Sequence, residues 1–351
     1  MSDPLIDKLL ENSIGWLADS GPDEDIAISS RIRLARNLNG CNFPINCDDE
    51  QLETVETIVD SAMRGGLEPD WMNFKVDRLD DSDKMILFER RLASKELFSR
   101  KRGAGLWTSP DERLSLMVNE EDHLRIQSVL PGFQLEKVYE TIDRFDDELS
   151  AGLDYAFDST LGYLTCCPSN LGTGMRASVM LHLPGLVLSN QIGGVLQGVR
   201  KLNFAVRGIF GEGSDNRGNL FQVSNQSTLG ESEPEIIERL SNIIGKLIDY
   251  EKRARQRLLA KQSQMVFDRV GRAYGTLRYC YMLSSEEALN SLSLIRFGVD
   301  MGMFSSMDIH MVNELFVRIN PAHLQRAYGA VEDAQARDVL RARMMRERLR
   351  G

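Results

Sequence analysis

The 351-residue sequence has few of the residues that build metal centres or disulfide frameworks. Its five cysteines include no C-x-x-C pair, and its four histidines are scattered without the spacing of zinc ligands. No apolar run approaches the roughly 18 residues of a membrane span, and the acidic start, MSDPLIDKLLENS, does not resemble a signal peptide. These absences predict a cytoplasmic protein that has no disulfides, no metal held by protein side chains and no membrane contact.

Lysine is also scarce, with 10 residues against 32 arginines, although the formal net charge is −10. The negative charge argues against a general nucleic-acid binder. Guanidinium binds phosphate or carboxylate through a planar, bidentate fork, whereas an ammonium group acts as a point charge. The arginine surplus therefore fits phosphate handling, but the codon usage of a GC-rich genome explains it at least as well.

The common nucleotide-binding motifs are absent from the sequence. There is no G-x-x-x-x-G-K-[ST] loop, and the H-R-D and D-F-G motifs of protein kinases are missing. Gly211-Glu212-Gly213 starts a dinucleotide-like pattern, but Asn216 stands where the third glycine is required. If this chain binds nucleotides, it must hold their phosphates by other means.

Hydrophobic periodicity predicts a mixed α+β region followed by a helical region. Strand-like runs at 114–118 and 124–130 flank a polar turn, and apolar residues recur at helical spacing over 135–149. The chain is predicted to divide into a lead-in at 1–23, a mixed domain at 24–254 and a helical C-terminal domain at 255–351.

The second half of the mixed domain has its own signals. A Gly-rich loop separates predicted strands at 204–210 and 219–223, and a capping box from Ser232 to Glu235 begins a long helix. Residues 251–351 then show few strand signals and carry 15 of the 32 arginines.

Five short segments place arginines in constrained local contexts. In a strand, Arg31-x-Arg33 puts both side chains on one face, where two guanidiniums repel each other unless an anion lies between them. Taken singly, such a pair is more often a solvated or ion-paired surface. The five segments are 29–33, 119–125, 167–176, 207–213 and 337–342.

Two of these segments are highly specific. Val118–Arg125 (VNEEDHLR) and Cys167–Gly174 (CPSNLGTG), in this order, resemble the catalytic domain of the phosphagen (ATP:guanido) kinases over roughly residues 24–254. The resemblance implies an antiparallel β-sheet flanked by helices, with arginines that clamp the phosphates of ATP. The positions that match the ATP-binding residues are Ser29, Ser30, Arg31, Ile32, Arg33, Arg91, Arg125, Arg176, Ala177, Ser178, Val179, Met180, Arg207, Gly208, Ile209, Phe210, Gly211 and Glu212.

Within that family, the sequence is most similar to the bacterial protein-arginine kinases of the McsB type. Only 28 residues precede Ser29, whereas small-molecule guanidino kinases place an all-helical domain before this point. A helical domain follows the catalytic one instead. Arg337-Asp338-x-x-Arg341-Ala342 matches the RDxxRA signature that lines a phosphoarginine-binding pocket in that group. The resemblance thus implies allosteric regulation by phosphoarginine.

The chemistry requires a carboxylate, because a guanidinium with a pKa of about 12.5–13.8 must lose a proton during transfer. Glu121 and Glu212 match the family's paired glutamates, and we expect Glu121 to act as the base while Glu212 orients the substrate. Cys167 is expected to tune the reactive guanidine. From the residues alone, a strand-end carboxylate paired to His123 or Arg125 is the favoured interpretation of Glu121, and the resemblance to the family motif reverses that preference.

Arg91 departs from the family pattern, because related arginine kinases carry a histidine there as a nucleotide contact. A longer cation still reaches a phosphate, so Arg91 is included in the ATP site. Mg²⁺ is expected to accompany ATP and to be held mainly by phosphates and water, since the sequence has no dedicated carboxylate cage.

The implied activity is transfer of the ATP γ-phosphate to arginine side chains of proteins, which would mark them for degradation in protein quality control. The implied partners are protein substrates with accessible arginines, a zinc-containing activator protein, an AAA+ protease and further copies of the chain in a homo-oligomer. Two alternatives stay open: a kinase for a small guanidino metabolite, and a non-catalytic adaptor that reads phosphoarginine.

Overall fold

A computed structural model describes residues 3–66, 70–100, 102–208, 217–305, 307–330 and 333–349. Within them the helices are α1 (Pro4–Glu11), α2 (Gly15–Ala18), α3 (Asp49–Gly66), α4 (Asp81–Glu89), α5 (Leu135–Ser150), α6 (Pro184–Leu188), α7 (Ile192–Lys201), α8 (Glu233–Tyr279), α9 (Ser285–Asp300), α10 (Ile309–Arg318), α11 (Pro321–Tyr328) and α12 (Ala334–Arg348). The strands are β1 (Ala27–Arg36), β2 (Met72–Lys75), β3 (Gly105–Thr108), β4 (Leu114–Val118), β5 (Leu124–Pro131), β6 (Phe157–Asp158), β7 (Gly162–Tyr163), β8 (Met175–His182), β9 (Phe204–Gly208) and β10 (Leu220–Asn225).

Eight of the strands form one sheet in the order β2-β3-β4-β5-β1-β8-β10-β9, and β6 pairs with β7 in a separate hairpin. Strand β1 is antiparallel to β5, with Arg33 opposite Gln127 and Ala35 opposite Arg125. Strand β4 is antiparallel to both β3 and β5. This architecture confirms the predicted α+β class, an antiparallel sheet with flanking helices.

The chain folds into two compact units, which do not follow the order of the sequence. The first unit comprises residues 1–21, 29–179 and 224–242, and the second comprises 22–28, 180–223 and 243–351. The domain limits inferred from the sequence, at residues 24 and 255, stay a prediction.

In the first unit, helix α5 packs against β5. Val138, Ile142 and Phe145 recur every three to four residues and share the buried face of the helix. Trp71 stacks on Phe145 with 5.1 Å between the ring centroids. This packing fixes β5, the strand that carries Arg125.

The second unit contains α9 to α12 and most of α8. Helix α8 bends at Gln262, where the backbone leaves helical geometry. Val266 and Val270, after the bend, pack with Leu258 and Phe297 in an apolar core. The helical C-terminal region predicted from the sequence is confirmed.

The elements predicted around the sequence motifs are also confirmed, namely strands β4 and β5, helix α5 and the start of α8. Ser232 donates through its backbone N–H and its hydroxyl to Glu235 Oε2, each at 2.7 Å, just before α8 begins. Strand β9 ends at Gly208, and the Gly-rich loop predicted after it lies outside the described residues. No helix in the described part of the chain is long and apolar enough to cross a bilayer.

Candidate active site

Strand β1 carries Arg31 and Arg33 on one face, as the two-residue period of a strand requires. Ile32 and Leu34, on the opposite face, are fully buried and anchor the strand in the core. Because Ala35 lies opposite Arg125 in the antiparallel register, Arg125 joins the same face as Arg31 and Arg33. Two neighbouring strands therefore present three arginines side by side.

Strand β8 adds a fourth arginine. The Ala35 N–H donates to the Gly174 carbonyl at 3.0 Å, and the Ser178 hydroxyl donates to the Arg31 carbonyl at 3.4 Å. These two contacts place Arg176 level with Arg33 on the adjacent strand. The Arg176 guanidinium also donates to the Ser224 hydroxyl at 3.3 Å.

Arg91 approaches the same face from the turn that ends α4. Its backbone is left-handed, with φ of 62°, a conformation that non-glycine residues adopt only when their surroundings hold them. The Arg91 carbonyl accepts a bond of 2.9 Å from Gln127, the residue opposite Arg33. The preceding carbonyl, of Arg90, accepts a bond of 3.1 Å from the buried indole N–H of Trp16. Trp16 and Gln127 thus fix the peptide groups on either side of Arg91, a role that the sequence did not reveal.

The charges of these arginines disturb one another. Burial, together with the charges of Arg91, Arg125 and Arg176, lowers the pKa of Arg31 to about 9. Burial and the neighbouring arginines lower the pKa of Arg33 well below its ordinary value, and the buried Arg33 Nε has no hydrogen-bond partner among the described residues. Like charges gathered in a desolvated setting are unfavourable by themselves, and a bound polyanion would relieve them.

Glu120 balances part of this charge. Its buried carboxylate forms a salt bridge with Arg125 and accepts a bond of 2.7 Å from the Ser94 hydroxyl. Its second oxygen accepts the Glu121 N–H at 3.1 Å. Sequence reasoning missed this role, because Glu120 and Glu121 are adjacent and only the register of β5 decides which of them meets Arg125.

Glu121 itself is exposed at the turn between β4 and β5. Partial burial raises the pKa of its carboxyl above the ordinary value, and the charge of Arg125 opposes that rise. The sequence alone also allowed Glu121 to pair with His123 or Arg125, but in the structure these two residues bond to other groups. Glu120 pairs with Arg125, and His123 bonds to the Leu38 N–H. Of the three carboxylates in this motif, Glu120 and Asp122 are buried, whereas Glu121 is exposed at the surface beside the arginine cluster.

Asp122 and His123 hold neighbouring segments of the chain in place through hydrogen bonds. Asp122 Oδ1 accepts bonds from Asn37 Nδ2 at 2.7 Å and from the Cys166 N–H at 2.6 Å. His123 Nδ1 accepts the Leu38 N–H at 3.0 Å. The motif around Glu121 therefore anchors the chain that leads directly to Cys167.

Cys167 lies half-buried at the start of a 3₁₀ turn, with its sulfur 3.0 Å from the Ser169 hydroxyl. The Thr228 hydroxyl bonds to the carbonyls of Ser169 and Leu171, at 2.9 and 2.7 Å, and fixes this turn. Burial and Asp122 raise the pKa of the neighbouring Cys166 to about 12, so that thiol stays protonated.

The other predicted ATP-site residues have different placements. Ser30 donates to the Gly132 carbonyl at 2.8 Å, and the Ala177 N–H donates to Asn225 at 2.8 Å, so both serve the strand framework. Ser29, Ile32, Ser178, Val179 and Met180 are buried strand residues. Arg207 and Gly208 end β9 in the second unit, half-buried. The remaining predicted residues lie outside the described part of the chain: Ile209, Phe210, Gly211 and Glu212.

The C-terminal motif lies on α12. Arg341 is buried, donates to the carbonyls of Ile319 and Leu283 at 2.9 and 2.7 Å, and bonds to Asp338 at 2.6 Å. The Asp338 carboxylate is therefore paired with a guanidinium of the same helix. Arg337 is half-buried one residue before Asp338, and Ala342 is fully buried.

The described residues contain no group of three or more His, Cys, Asp or Glu side chains that could hold a metal ion. What the site does contain is a set of guanidinium groups with the exposed carboxylate of Glu121 beside them, and the residue before Cys167 bonds to the next residue of the Glu121 motif, Asp122. Such an array suits a phosphate-bearing anion and a cationic co-substrate.

Comparison with known proteins defines the class. Residues 53–254 match the family described as ATP:guanido phosphotransferase, C-terminal catalytic domain. The chain is similar in structure to a lombricine kinase (TM-score 0.58, 27% identity, 69% of this chain and 70% of that one). It is also similar to the duplicated taurocyamine kinase from Schistosoma mansoni with bound transition state analog components (TM-score 0.60, 25% identity, 71% of this chain and 38% of that one). These are phosphotransferases of the guanidino-kinase fold.

The C-terminal region narrows the class further. Residues 263–351 match the protein-arginine kinase McsB C-terminal domain. The protein-arginine kinase of Halothermothrix orenii is 43% identical over 98% of this chain and 99% of its own length. That of Moorella thermoacetica is 45% identical over 97% of this chain and 99% of its own. The chain therefore belongs to the protein-arginine kinases of the ATP:guanido phosphotransferase family, which confirms the predicted family and enzyme class.

Proposed function

We propose that this protein transfers the γ-phosphate of ATP to arginine side chains of proteins. The observation that carries the proposal is the shared face of β1, β5 and β8, where the guanidiniums of Arg31, Arg33, Arg125 and Arg176 converge beside Glu121. A triphosphate supplies the negative charge that this face lacks, and Glu121 supplies the carboxylate that a guanidinium substrate requires.

Charge and position make the main contributions to such a transfer, because phosphoryl transfer needs little covalent participation from a protein. The arginines hold the phosphates and stabilise the charge that develops on the transferred group. Mg²⁺, when bound, neutralises phosphate charge and would be held by phosphate oxygens and water. Arg207 and Glu212 are proposed to join from the other side, on the evidence of the sequence resemblance alone.

In the transfer step, an η-nitrogen of the substrate arginine attacks the γ-phosphorus, and the bond from that phosphorus to the bridging β-γ oxygen breaks. ADP leaves with the electron pair of the broken bond, and Glu121 accepts the proton that the nitrogen loses. The raised pKa of Glu121 makes the carboxylate a better proton acceptor than an ordinary glutamate. Cys167 is proposed to contact the guanidine next to the reacting nitrogen and to tune it.

The test is incubation with ATP, Mg²⁺ and β-casein, followed by measurement of acid-labile phosphate on arginine. Glu121→Gln should reduce the rate by about 10²–10⁴-fold, the range for loss of a general base, while the affinity for ATP stays near that of the parent. Glu136→Gln, an exposed residue of α5, is the matched control. Label on free arginine or taurocyamine alone would support a small-metabolite kinase, and retained activity in Glu121→Gln would remove its role as the base.

We further propose that phosphoarginine regulates the enzyme through Arg337 and Asp338 on α12. The support is the RDxxRA sequence together with the geometry of Arg341, which ties α12 to the ends of neighbouring segments at Leu283 and Ile319. In this proposal Arg337 binds the phosphate, Asp338 binds the guanidinium, and Arg341 holds the helix in place. Ala342 leaves space beside them.

Titration with phosphoarginine, and with arginine as the control ligand, tests this regulatory site. Arg337→Ala with Asp338→Ala should weaken phosphoarginine binding at least ~10-fold, as expected for lost charge-assisted bonds, and should leave basal activity unchanged. Unchanged affinity would remove the site. Marking of substrates for an AAA+ protease, control by a zinc-containing activator and assembly into a homo-oligomer are also proposed, and their support is the family relationship.

A further inference from the structure

A small hairpin beside the Cys167 segment presents apolar side chains to solvent. Phe157, in β6, is 59% exposed, and Leu161, in the connecting turn, is 43% exposed. The turn is ordered, because the N–H groups of Thr160 and Leu161 donate to Asp158 at 2.8 and 2.9 Å. Local disorder of the turn therefore does not explain why Phe157 and Leu161 are exposed, and exposed apolar side chains of this kind often mark a binding surface.

The hairpin is joined to the signature segment that contains Cys167. The Tyr163 N–H donates to the Gly172 carbonyl at 2.8 Å. A Cβ atom at Gly162 would lie 2.4 Å from that carbonyl oxygen, and φ at Gly162 is +78°, so only glycine permits this approach. A molecule bound at the hairpin is thus held against the segment that leads to the catalytic thiol.

Two cavities of about 620 and 430 Å³ flank the hairpin, and Phe157 and Tyr163 line both of them. The larger cavity includes Asp154 in its wall. The smaller includes Glu231 and Leu229, which is 50% exposed. Because Phe157 and Tyr163 line both, the two cavities adjoin, and we call them together the hairpin groove: it has aromatic and aliphatic surfaces and a volume that accommodates several side chains of an extended peptide.

The charge of this groove favours a cationic occupant. Among the described residues, none that lines either cavity is Lys or Arg, whereas Asp154, Glu231 and Glu233 contribute carboxylates. Glu231 pairs with Arg239 at 2.7 Å and Glu233 accepts a bond from Tyr139 at 2.9 Å, so the exposed Asp154, which bonds to the neutral Asn39, is the carboxylate open to a bound cation. The chain already holds one guanidinium in this setting: Arg36 lies 3.5 Å from the centroid of the Tyr163 ring and bonds to Asp146 at 2.7 Å. Aromatic faces next to carboxylates bind guanidinium groups through cation–π and ionic contacts.

We propose that this groove docks the extended, arginine-bearing segment of an unfolded or loosely folded substrate protein. The exposed apolar side chains bind hydrophobic residues of that segment, and Asp154 binds an arginine that flanks them. The inference rests on the proposed kinase activity and deepens it, because it assigns recognition of the protein to a surface outside the phosphate-binding arginines.

The experiment compares two acceptors, β-casein and the tripeptide acetyl-Gly-Arg-Gly-amide, with the full chain, ATP and Mg²⁺. Phe157→Ser combined with Leu229→Ser should raise KM for β-casein by about fivefold or more, as loss of exposed apolar anchors at an interface does. KM for the tripeptide and for ATP should change less than about twofold. Phe267→Ser, an exposed aromatic of α8 that lines neither cavity, is the matched control. Leu161→Ser serves as a second variant if the double variant does not fold.

Equal changes for the two acceptors, or a change for β-casein no larger than that in Phe267→Ser, would overturn the docking proposal. A changed sedimentation coefficient with unchanged KM for β-casein would overturn it in favour of an interface between copies of the chain. Failure of the proposed function is distinguishable, because the parent would then phosphorylate neither acceptor.

Discussion

Arginines occupy two contrasting settings in this protein. On β1, β5 and β8 of the first unit, Arg31, Arg33 and Arg176 gather with Arg125, whose partner is Glu120. In the second unit, Arg255 is buried between Glu251 at 2.7 Å and Asp300 at 3.2 Å. The same side chain therefore serves as a framework element where carboxylates and carbonyls surround it, and as an anion-binding group where other arginines do.

Arg296 is the clearest framework arginine. It is fully buried and donates to the Asp25 carbonyl at 2.7 Å, to Asn313 at 2.8 Å and to His182 Nδ1 at 3.0 Å. Burial lowers its pKa to about 10, and the charge of Asp300 opposes that shift. Its hydrogen-bonding capacity is thus satisfied by the protein itself, and a ligand has no role there.

The largest expected effect follows from removing that framework arginine. Arg296→Ala removes buried bonds to the Asp25 carbonyl, Asn313 and His182, and it removes the guanidinium 3.6 Å from the buried Asp300, which Arg255 also contacts. The free energy of unfolding should therefore fall by ~3–5 kcal/mol. Denaturant titration measures this loss of unfolding free energy. Arg343→Ala, an exposed residue paired with Glu347, should cost less than ~1 kcal/mol. Similar losses for both variants would contradict the framework role of Arg296.

The second prediction concerns the arginine cluster and Trp16, whose bond to the Arg90 carbonyl helps to hold Arg91 in place. Trp16→Phe removes the donor to the Arg90 carbonyl, so Arg91 is held less firmly, and KM for ATP should rise about fivefold with a smaller change in kcat. Trp107→Phe, which loses a comparable indole bond to Asp60, is the control. In an Arg91→Ala background Trp16→Phe should have no further effect on KM. An additive effect there would show that Trp16 does not act through Arg91.

The third prediction is a pH dependence of stability in the second unit. Burial and the charges of Arg296 and Arg255 lower the pKa of His182 well below 6.5, so the folded protein keeps this imidazole neutral. The unfolded chain takes up the proton below about pH 6.5, so stability present at pH 7 is lost as pH falls, by up to ~1.4 kcal/mol per unit. Unfolding measured from pH 7.5 to 5.5 should show a shallower slope for His182→Asn than for the parent. His310→Asn is the control, and a slope unchanged by His182→Asn would refute the claim.

The local features of the fold were predictable because they depend on short-range patterns. The placement of Arg31 and Arg33 on one face follows from the two-residue period of a strand. Helix α5 follows from the spacing of Val138 and Ile142. The two signature segments indicate the family by their residues alone, because each is a continuous run. All of these signals lie within a few residues of one another, so a sequence displays them directly.

The features that sequence reasoning missed depend on contacts between distant segments. Trp16 meets the Arg90 carbonyl across 74 residues, and Arg341 meets the Leu283 carbonyl across 58. The latter contact gives Arg341 a framework role, and the ligand contact that its motif suggests stays a prediction. No periodicity or spacing contains that information, because it arises only when the helices have packed.

Under the proposed function, the clustered arginines of the first unit bind the phosphates of ATP. Calorimetric titration with a non-hydrolysable ATP analogue and Mg²⁺ tests it most directly, on the parent, Arg33→Gln and Arg343→Gln. Loss of one charge-assisted contact should raise the Kd of Arg33→Gln by at least ~10-fold, while Arg343→Gln binds like the parent. Equal Kd values for Arg33→Gln and the parent would contradict the binding of ATP phosphates by this cluster.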